Sequence, residues 1–355
     1  MPITPATPTP GIIPTPGSRS HTIIIAASNS SLSGRDGADF VCTGINDQIM
    51  INSAISALPT GGGSILLLEG TYNITGNIVI NRNNVFITGQ GNNTVLFIPN
   101  NTNTDISIFT GTGRNHITIS NLRINGNQVN QMHGWMHVGI VFINSSSISF
   151  YNLNIENMLM NAINLNNSHS CIVAFNRFLN CSTPILCQGN HIDVFNNIVV
   201  NSWGNGIDIR QSGITPQLGG IITNNYITGL TCGIFAWASR FITISNNFIR
   251  LSRESGLQLD NVSDCIISGN RILESSQSAN NSFDGISLIN TSHNNNIQNN
   301  MVRRGTTTNQ QRRGISIGSG CNNNFITNND LLTSGATASL VDGGSATITL
   351  PGNRL

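Results

Sequence analysis

Two carboxylates and two aromatic side chains recur at similar spacing in the middle of the chain, and together they suit the recognition of sugars. They stand in the short segments GIDIR, GIFAW and GLQLD, which begin at Gly206, Gly233 and Gly256. If these segments stack as neighbouring strands, alternation places their third and fifth residues on one outward face. Sugars stack on aromatic rings, and carboxylates or Arg bind hydroxyl and acidic groups. The predicted site residues on this face are Asp208, Arg210, Phe235, Trp237, Gln258 and Asp260.

The same two carboxylates suit acid–base catalysis. Inverting glycosidases use two carboxyl groups about 6.5–9.5 Å apart. Asp208 and Asp260 are two repeats apart, so a strand spacing of about 4.8 Å predicts roughly 10 Å between them. They are therefore the predicted catalytic residues. The alternative is a partly polar sheet face on which Asp208 forms an ion pair with Arg210 or Arg240.

A second candidate site is the segment NGNQVNQMHGWMHV at residues 125–138, which interrupts the repeat. Its His133, Trp135 and His137 alternate, so an extended segment would present all three to one side. They are predicted to contact substrate, with a packed loop as the alternative. Two His without a third ligand make a poor metal site, so neither a metal site nor a cofactor is predicted. Because the chain has no Lys, a lyase would need Arg, His or Tyr as its base, and Ca²⁺ enters only under that alternative.

These residues belong to a repeat that determines where they lie. A small residue followed by an apolar-x-apolar triplet recurs at intervals of 22 to 29 residues. The longer intervals contain polar inserts, which is typical of loops at one corner of a constant repeat. The triplets begin at Gly139, Ala162, Pro184, Gly206, Gly233, Gly256, Gly285 and Gly314.

An Asn between successive triplets forms a second anchor of the repeat. Asn tolerates the left-handed backbone of a tight corner, and stacked Asn side chains can hydrogen-bond from one repeat to the next. The sequence therefore predicts short strands separated by Asn or Gly corners, with an asparagine ladder. The anchors are Asn176, Asn196, Asn224, Asn246, Asn270, Asn299 and Asn328.

The period and the alternation predict an all-β fold, a right-handed parallel β-helix solenoid of about ten to twelve coils. A repeat of about 22 residues is too short for crossover helices, and the pattern of leucine-rich repeats is absent. The coils are predicted over residues 65–340, with Cys187 in an inward-facing column. The predicted core contains Ile207, Ile209, Ile234, Leu257, Leu259, Ile286, Leu288, Ile315 and Ile317.

The remaining segments are predicted to flank the coils. Residues 1–20 form a Thr/Pro-rich flexible tail, and residues 21–64 contain an N-terminal strand and a capping helix. The helix is predicted over Asn46–Leu58 with Asn46 as its N-cap, and its apolar stripe covers the first coil. Residues 341–355 are predicted as a C-terminal cap or tail.

The stretch DQIMINSAISALPTGGGSILLLEGTYNI, from Asp47 to Ile74, resembles the entrance of the pectate-lyase-like superfamily of right-handed β-helix proteins. That entrance contains a capping helix, a Gly-rich turn, a strand and a GTY turn. The upstream IIIAASNSS and GADFVCTG are similar to the openings of uncharacterised bacterial, archaeal and phage β-helix proteins. The resemblance covers nearly the whole chain after Ser20. It implies the fold strongly and the function weakly, because the superfamily includes polysaccharide lyases, hydrolases, epimerases, phage tailspikes and proteins with no known activity.

Two short motifs resemble those of polygalacturonases, but the catalytic residues are incomplete. GISIGSG at Gly314 resembles a motif in which His directly precedes GISIGS, whereas this chain has Arg313 there. NGID at Asn205 resembles part of the Asp-bearing motif, but GIFAW at Gly233 stands where an adjacent Asp pair should follow. Two of the three catalytic elements are missing, so a working polygalacturonase is not predicted.

Charge and cysteine content weigh against several functional classes. The chain has 16 Arg and no Lys against 15 Asp and Glu, a net charge of +1, so no electrostatic attraction favours nucleic acid. No apolar run approaches the roughly 18 residues of a membrane span, and residues 1–17 lack the pattern of a Sec signal peptide. The seven Cys include no CxxC pair, so buried free thiols are predicted.

We therefore predict a surface-exposed β-helix with a structural or glycan-recognition role. The alternative is a polysaccharide-processing enzyme, a hydrolase, lyase or epimerase, that acts in a groove on one sheet. The predicted partner is a polysaccharide or surface glycan, without nucleic-acid binding or membrane insertion. A low-charge rod with a Pro-rich tail favours extracellular display on a cell, spore or virion through residues 1–17, and a homo-oligomer such as a trimer.

Overall fold

The computed structural model describes residues 22–132, 136–211 and 217–355, and every pair of neighbouring strands within them is parallel. Sheet A has 22 strands, sheet B has 11, and two short strands form a third sheet. A complete coil contributes two strands to sheet A and one strand to sheet B. This architecture confirms the predicted all-β solenoid, and the 11 strands of sheet B agree with the predicted number of coils.

The strands begin with β1 (Thr22–Ala26), β2 (Phe40–Val41), β3 (Gly63–Leu67), β4 (Gly70–Asn73), β5 (Ile78–Val79), β6 (Val85–Phe97), β7 (Ile106–Thr112), β8 (Asn115–Asn125), β9 (His137–Ile143), β10 (Ser146–Tyr151), β11 (Asn154–Glu156) and β12 (Ile163–Asn166). They continue with β13 (Cys171–Ala174), β14 (Arg177–Leu179), β15 (Ile185–Gln188), β16 (Ile192–Phe195), β17 (Ile198–Val200), β18 (Ile207–Arg210), β19 (Gln217–Leu218), β20 (Ile221–Thr223), β21 (Tyr226–Thr228), β22 (Ile234–Trp237), β23 (Ser239–Arg240) and β24 (Thr243–Ser245). The last strands are β25 (Phe248–Arg250), β26 (Leu257–Asp260), β27 (Ile266–Ser268), β28 (Arg271–Leu273), β29 (Ile286–Ile289), β30 (Asn296–Gln298), β31 (Met301–Arg303), β32 (Arg313–Ile317), β33 (Phe325–Thr327), β34 (Ala338–Asp342) and β35 (Ile348–Thr349). The helices are α1 (Leu32–Gly37) and α2 (Gln48–Ala57), with a 3-10 turn at Gln128–Asn130.

Two apolar columns of sheet B form its inward side. Ile207 and Ile234 pair in one column, and Ile209 stands in the other with Cys187. Full burial of an Ile or Leu side chain contributes about 1.5–3 kcal/mol, so these columns hold successive coils together. All nine predicted core residues are buried, and they are Ile207, Ile209, Ile234, Leu257, Leu259, Ile286, Leu288, Ile315 and Ile317.

A close approach between the sheets explains the small residue that precedes the sheet B strands. A Cβ atom on Gly233 would lie 2.3 Å from Cγ2 of Ile249. A Cβ atom on Gly256 would lie 2.3 Å from Cγ2 of Ile272. Ile249 and Ile272 are buried side chains of sheet A. Glycine is therefore required by packing at these positions, which accounts for the first anchor of the repeat.

In the Asn-Asn pairs at the corners, the two residues have different roles. In one pair, Asn246 has a φ of +55° and forms the left-handed corner. Asn247 is buried, and its Nδ2 donates to Ile222 O at 2.9 Å and to Oδ1 of Asn270, one coil on, at 3.0 Å. The predicted asparagine ladder is confirmed, but in each pair it is the second Asn that belongs to it. The ladder contains Asn176, Asn197, Asn225, Asn247, Asn270, Asn300, Asn329 and Asn353.

The capping helix is confirmed, but it begins two residues later than predicted. α2 spans Gln48–Ala57, and its apolar stripe is buried against the first coil. The predicted N-cap, Asn46, has a left-handed φ of +55°, and the cap position is occupied by Asp47. Asp47 makes no capping bond because its Oδ1 accepts from Gly44 N at 2.8 Å and its Oδ2 from Asn73 N at 2.8 Å. Its carboxylate thus ties the helix start to β4.

The short helix α1 is a feature that the sequence did not indicate. It has six residues, and none of them is buried. The Oγ of Ser31 caps it by accepting from Gly34 N at 3.3 Å. A helix without a buried apolar stripe has no periodicity from which it could be predicted.

The C-terminal residues extend the solenoid, in contrast to the separate cap or tail predicted for residues 341–355. β34 pairs with β32, and β35 pairs with β33, both in parallel. Asn353 completes the ladder by accepting from Asn329 Nδ2 at 3.1 Å. Gly352, with a φ of +108°, forms the corner that Asn forms elsewhere. Because Gly replaces Asn at this corner, the last repeat cannot be recognised from the sequence pattern.

All seven thiols are free and buried, as predicted. Cys187 lies in the inward column beside Ile209. Burial raises the pKa of Cys171 to about 12 and that of Cys265 to about 11, so these groups are neutral core residues. No helix among the described residues is long and apolar enough to span a lipid bilayer.

Candidate functional site

Three neighbouring strands of sheet B bring the predicted sugar-binding residues together. β18, β22 and β26 pair in register, so the third and fifth residues of each repeat form two adjacent outward rows. This juxtaposition follows the stacking order that the repeat predicts. The two rows are Asp208–Phe235–Gln258 and Arg210–Trp237–Asp260, and we call these six residues the aromatic face.

Asp208 is on the outward side of its strand but is completely buried. Its Oδ1 accepts from Arg210 Nε at 2.6 Å, and its Oδ2 accepts from Arg210 Nη2 at 2.6 Å and from Asn205 Nδ2 at 2.8 Å. Hydrogen bonding to this carboxylate raises the pKa of Arg210. The ion pair that the sequence offers as the alternative to catalysis is therefore present. Both oxygens of Asp208 are engaged, so neither is free to accept a proton from a bound sugar.

Asp208 and Asp260 are farther apart than the number of repeats predicts. They occupy different rows, so two strand steps of about 4.8 Å combine with two residues of about 3.3 Å, which gives about 12 Å between their backbone positions. Inverting glycosidases place their carboxyl groups about 6.5–9.5 Å apart. The Oδ1 of Asp260 also accepts from Asn290 Nδ2 at 2.6 Å. The backbone separation of about 12 Å therefore replaces the predicted separation of roughly 10 Å. Catalysis by Asp208 and Asp260 stays a prediction.

Trp237 supplies the exposed ring at the centre of the aromatic face. It is 38% exposed and lies in register between Arg210 and Asp260. Phe235 is partly buried, and its ring centroid lies 5.7 Å from the guanidinium carbon of Arg210. Among the described residues, no other ring and no cation stacks on Trp237. A partly exposed indole that stacks on no described ring or cation is suited to stack on a sugar.

An aromatic row on sheet A is arranged differently. Tyr226 is 42% exposed, but its ring stacks on Phe248 with centroids 5.3 Å apart and planes inclined by 3°. The guanidinium carbon of Arg271 lies 5.4 Å from the centroid of the Phe248 ring. The faces of these rings are occupied by contacts within the protein. Tyr226 is therefore an exposed aromatic residue that serves as a comparison for Trp237.

Beyond Gln258, the outward row of sheet B continues with small polar residues. Gln258 pairs with Ser287, and Ser287 pairs with Ser316. Arg313, the first residue of β32, donates from Nη1 to the Oγ of Ser316 at 2.9 Å, while its Nε is buried without a partner. In the sequence, Arg313 stands out only because it occupies the position of the His that precedes GISIGS in the polygalacturonase motif. Its place beside this row comes from the structure alone.

His137 lies in the core, which corrects the prediction that it contacts substrate. It is the first residue of β9, it is fully buried, and its Nε2 lies 3.1 Å from Thr102 O and 3.0 Å from Thr104 O. Burial lowers its pKa, so the ring is a neutral packing group. The other two members of the predicted contact set, His133 and Trp135, lie outside the described residues.

Two further features bear on ligand binding. A shallow cavity of about 480 Å³ lies at the corner between sheet A and the starts of the sheet B strands, apart from the aromatic face. In the part of the chain that the structure describes, no group of three or more His, Cys, Asp or Glu is placed to hold a metal ion. The cavity is lined by Asn201, Gly229, Leu251, Arg253, Gln277 and Ser278.

A comparison with family models agrees with the strand pairing. Residues 185–355 match the model of a right handed beta helix region. The chain is a right-handed parallel β-helix protein. The fold that the superfamily resemblance implies is therefore confirmed. The comparison of the β-helix with curated proteins finds no match.

Three similar solved structures span most of the β-helix at low sequence identity. The A-module of mannuronan C-5 epimerase AlgE6 from Azotobacter vinelandii is 16% identical with a TM-score of 0.55, covering 86% of this chain and 96% of its own. A DFA-IIIase from Arthrobacter chlorophenolicus A6, in complex with GF2, is 14% identical with a TM-score of 0.59, covering 94% and 92%. A hyperthermoactive exopolygalacturonase from Thermotoga maritima is 11% identical with a TM-score of 0.53, covering 85% and 88%. At these identities the likeness shows the fold alone.

Proposed function

We propose that this β-helix recognises a glycan on the aromatic face of sheet B. The proposal rests on one observation, the exposed and unstacked ring of Trp237 in register between Arg210 and Asp260. An indole can contact the C–H face of a sugar while the flanking charged groups hydrogen-bond to its hydroxyls. Because Asp208 is held by Arg210 and Asn205, binding without turnover is the role that the geometry supports best.

The names of the structural neighbours support a carbohydrate as the ligand. They include a mannuronan epimerase, an exopolygalacturonase and an α-1,3-glucanase with bound nigerose. These names suggest oligosaccharide probes for the first binding experiments. A polysaccharide or surface glycan is met outside the cell, so an extracellular or surface-displayed location forms part of the same proposal.

The experiment compares two exposed aromatic residues. Trp237→Ala should weaken binding of an oligosaccharide selected on a glycan array by about 1–2 kcal/mol, or about 5- to 30-fold in Kd. Its melting temperature should change little, because an outward residue leaves no core cavity. Tyr226→Ala removes a ring of similar exposure from sheet A and should leave the affinity unchanged. Calorimetric titration gives the affinity, and thermal unfolding gives the stability.

Three results would contradict this function. The first is the absence of any glycan bound by the wild-type protein on the array. The second is a lower melting temperature of Trp237→Ala with unchanged affinity, which would make Trp237 a structural residue. The third is an equal loss of affinity in Trp237→Ala and Tyr226→Ala, which would indicate unspecific adhesion to exposed rings.

A second candidate function is polysaccharide processing, by a hydrolase, lyase or epimerase reaction on the same face. Two carboxylates, Asp208 and Asp260, lie on this face, and the structural neighbours are named as enzymes. If the face is catalytic, Asp208→Asn and Asp260→Asn should each abolish turnover while preserving binding. Assays for new reducing ends, unsaturated uronates and epimerised sugars on polygalacturonate, mannuronan and α-1,3-glucan measure this. Absence of turnover by the wild-type protein on all three would contradict the enzymatic function.

A further inference from the structure

We infer that the cavity of about 480 Å³ at the corner of the solenoid binds a small organic anion, and that Arg253 holds the anionic group. The anion presents a carboxylate or a phosphate to this arginine. A volume of this size lies within the roughly 300–1,000 Å³ that is usual for small-molecule sites. The cavity lies apart from the aromatic face, so the inference does not depend on the proposed glycan site. We call it the corner cavity, and it is lined by Asn201, Gly229, Leu251, Arg253, Gln277 and Ser278.

The base of the corner cavity consists of three corner residues from successive coils. Asn201, Gly229 and Leu251 each follow a strand of sheet A and have φ values of +50°, +76° and +55°. They stack in one column, in which Asn201 N donates at 2.9 Å to Thr228 O, the carbonyl that precedes Gly229. The residue in the middle of this column has no side chain. Gly229 therefore leaves a depression between its two neighbours.

Two polar inserts of the repeat, after β28 and β31, form a wall of the corner cavity. The Nε2 of Gln277 donates to Oγ1 of Thr307 at 3.1 Å and to Asn309 O at 2.9 Å. In return, the Nδ2 of Asn309 donates to Gln277 O at 2.8 Å. These bonds hold the two inserts to each other, so the wall that Gln277 and Ser278 present to the cavity is ordered before a ligand arrives. A preorganised wall lowers the entropic cost of binding.

Arg253 brings an unpaired positive charge to the corner cavity. It is exposed, and its guanidinium takes part in none of the ion pairs or cation–ring contacts of the described residues. Glu274, which follows the base of the cavity in the next coil, is already held by Arg250, whose Nε lies 2.5 Å from its Oε2. The next residue in the chain, Glu254, does not line the cavity. The charge of Arg253 is therefore available to an anion from solution.

The polar groups of the corner cavity suit an oxyanion that also carries hydroxyl groups. The planar guanidinium fork of Arg253 matches a carboxylate or a phosphate. The loop that carries it is fixed, because Arg253 O accepts from Ser278 N at 2.9 Å and from Ser278 Oγ at 2.6 Å. Asn201 is exposed in the cavity, and its amide can donate a second hydrogen bond to the anion. The Oε1 of Gln277 is left to accept from a hydroxyl of the ligand, since the bonds of this side chain to the second insert use its Nε2.

The test uses probes that share a small hydroxylated body and differ in charge, namely glycerol 3-phosphate, glycerate and neutral glycerol. Ligand-detected NMR titrations give the Kd of each, at one ionic strength so that screening is constant. The wild-type protein should bind at least one of the anions saturably and more tightly than glycerol. The phosphate and carboxylate probes identify which anionic group the cavity prefers.

Substitutions of Arg253 test its role directly. Arg253→Gln should weaken binding of the preferred anion about 10- to 100-fold, the scale of a hydrogen bond to a charged group. Arg253→Lys should keep part of the affinity, because it retains the charge but loses the fork. Neither should change the melting temperature, since the side chain is exposed and in no described ion pair. The matched control is Arg177→Gln, which removes another exposed arginine without a described ion pair, from β14, and should leave the affinity intact.

A second substitution fills the cavity and leaves Arg253 in place. Gly229→Asn keeps the left-handed corner, which Asn tolerates, and its Cβ would lie 2.7 Å from Oδ1 of Asn201, the end of an exposed side chain that can move. It should abolish anion binding. Gly269→Asn makes the same exchange at a corner within sheet A, with a φ of +67° and the Oδ1 of Asn246 as the contacted atom, and should leave the affinity unchanged.

Three results would overturn the inference. The first is a wild-type protein that binds neither anion more tightly than glycerol. The second is an equal loss of affinity in Arg253→Gln and Arg177→Gln, which would indicate general attraction to surface charge. The third is full affinity in a Gly229→Asn protein with the melting temperature of Gly269→Asn, which would place the anion outside the cavity. Trp237→Ala should leave anion binding unchanged, so the corner cavity and the aromatic face stand or fall separately.

Discussion

The carboxylate of Asp208 is a charged group without solvent exposure, and its main partner is Arg210. Removing one partner of a buried ion pair costs about 3–5 kcal/mol, because the other charge stays buried and unpaired. Arg210→Met should therefore lower the free energy of unfolding by roughly 3 kcal/mol. Urea titration followed by circular dichroism measures this change.

Two further variants check the origin of that loss. Arg271→Met removes an arginine that is in none of the described ion pairs, so it should lower stability much less. Asp208→Leu combined with Arg210→Met removes both charges together and should recover part of the stability. A double variant that is less stable than Arg210→Met alone would show that the ion pair does not explain the loss.

Strand alternation predicts the direction of a side chain but not what covers it. For this reason the two rows of the aromatic face could be predicted, whereas the complete burial of Asp208 could not. His137 was misplaced because an insert carries no period from which its register can be derived.

At the scale of elements, the asparagine ladder joins successive coils at one corner. Asn247 accepts from Asn225 N at 3.0 Å and donates to Ile222 O at 2.9 Å. Asn247→Ala leaves both buried backbone groups unpaired, at about 1–3 kcal/mol each. We therefore expect a loss of about 3–5 kcal/mol in the free energy of unfolding, measured by urea titration.

The adjacent residue supplies the control for this prediction. Asn246 occupies the left-handed corner and takes no part in the ladder, so Asn246→Gly should change the stability by less than about 1 kcal/mol. If Asn246→Gly destabilised the protein as much as Asn247→Ala, the two residues would not have the separate roles that the structure indicates.

Elements with a strict period were predictable, and elements without one were not. The strands follow the apolar alternation, and the packing of Gly233 against Ile249 explains why a small residue precedes them. In contrast, the start of α2 depends on Asp47 bonding to a residue of β4, a contact distant in sequence. The last coil was missed because Gly352–Asn353 replaces an Asn pair.

At the scale of the whole molecule, sheet A presents exposed apolar residues to solvent. With a net charge of only +1, little repulsion opposes association of such surfaces. We therefore expect a homo-oligomer, with a trimer as the predicted state. Light scattering that shows a monomer at high protein concentration would contradict this expectation. The exposed residues are Phe86, Ile198, Ile221, Tyr226, Ile266 and Ile348.

A pair of substitutions locates the contact surface. Ile221→Asp combined with Ile266→Asp places charges on neighbouring parts of sheet A and should shift the protein towards the monomer. Val79→Asp is a comparable exposed substitution on sheet B and should leave the oligomer intact. Dissociation by Val79→Asp alone would place the contact surface elsewhere.

Contact between a glycan and Trp237 is the most direct consequence of the proposed function. The chain has three Trp, and in a protein with Trp135→Phe and Trp203→Phe the tryptophan fluorescence comes from Trp237 alone. Binding of an oligosaccharide should change this fluorescence in a saturable way and protect Trp237 from quenching by acrylamide. The midpoint should agree with the Kd from calorimetry. Unchanged quenching in a protein saturated with oligosaccharide would show that the glycan binds elsewhere and would contradict the aromatic face as the binding site.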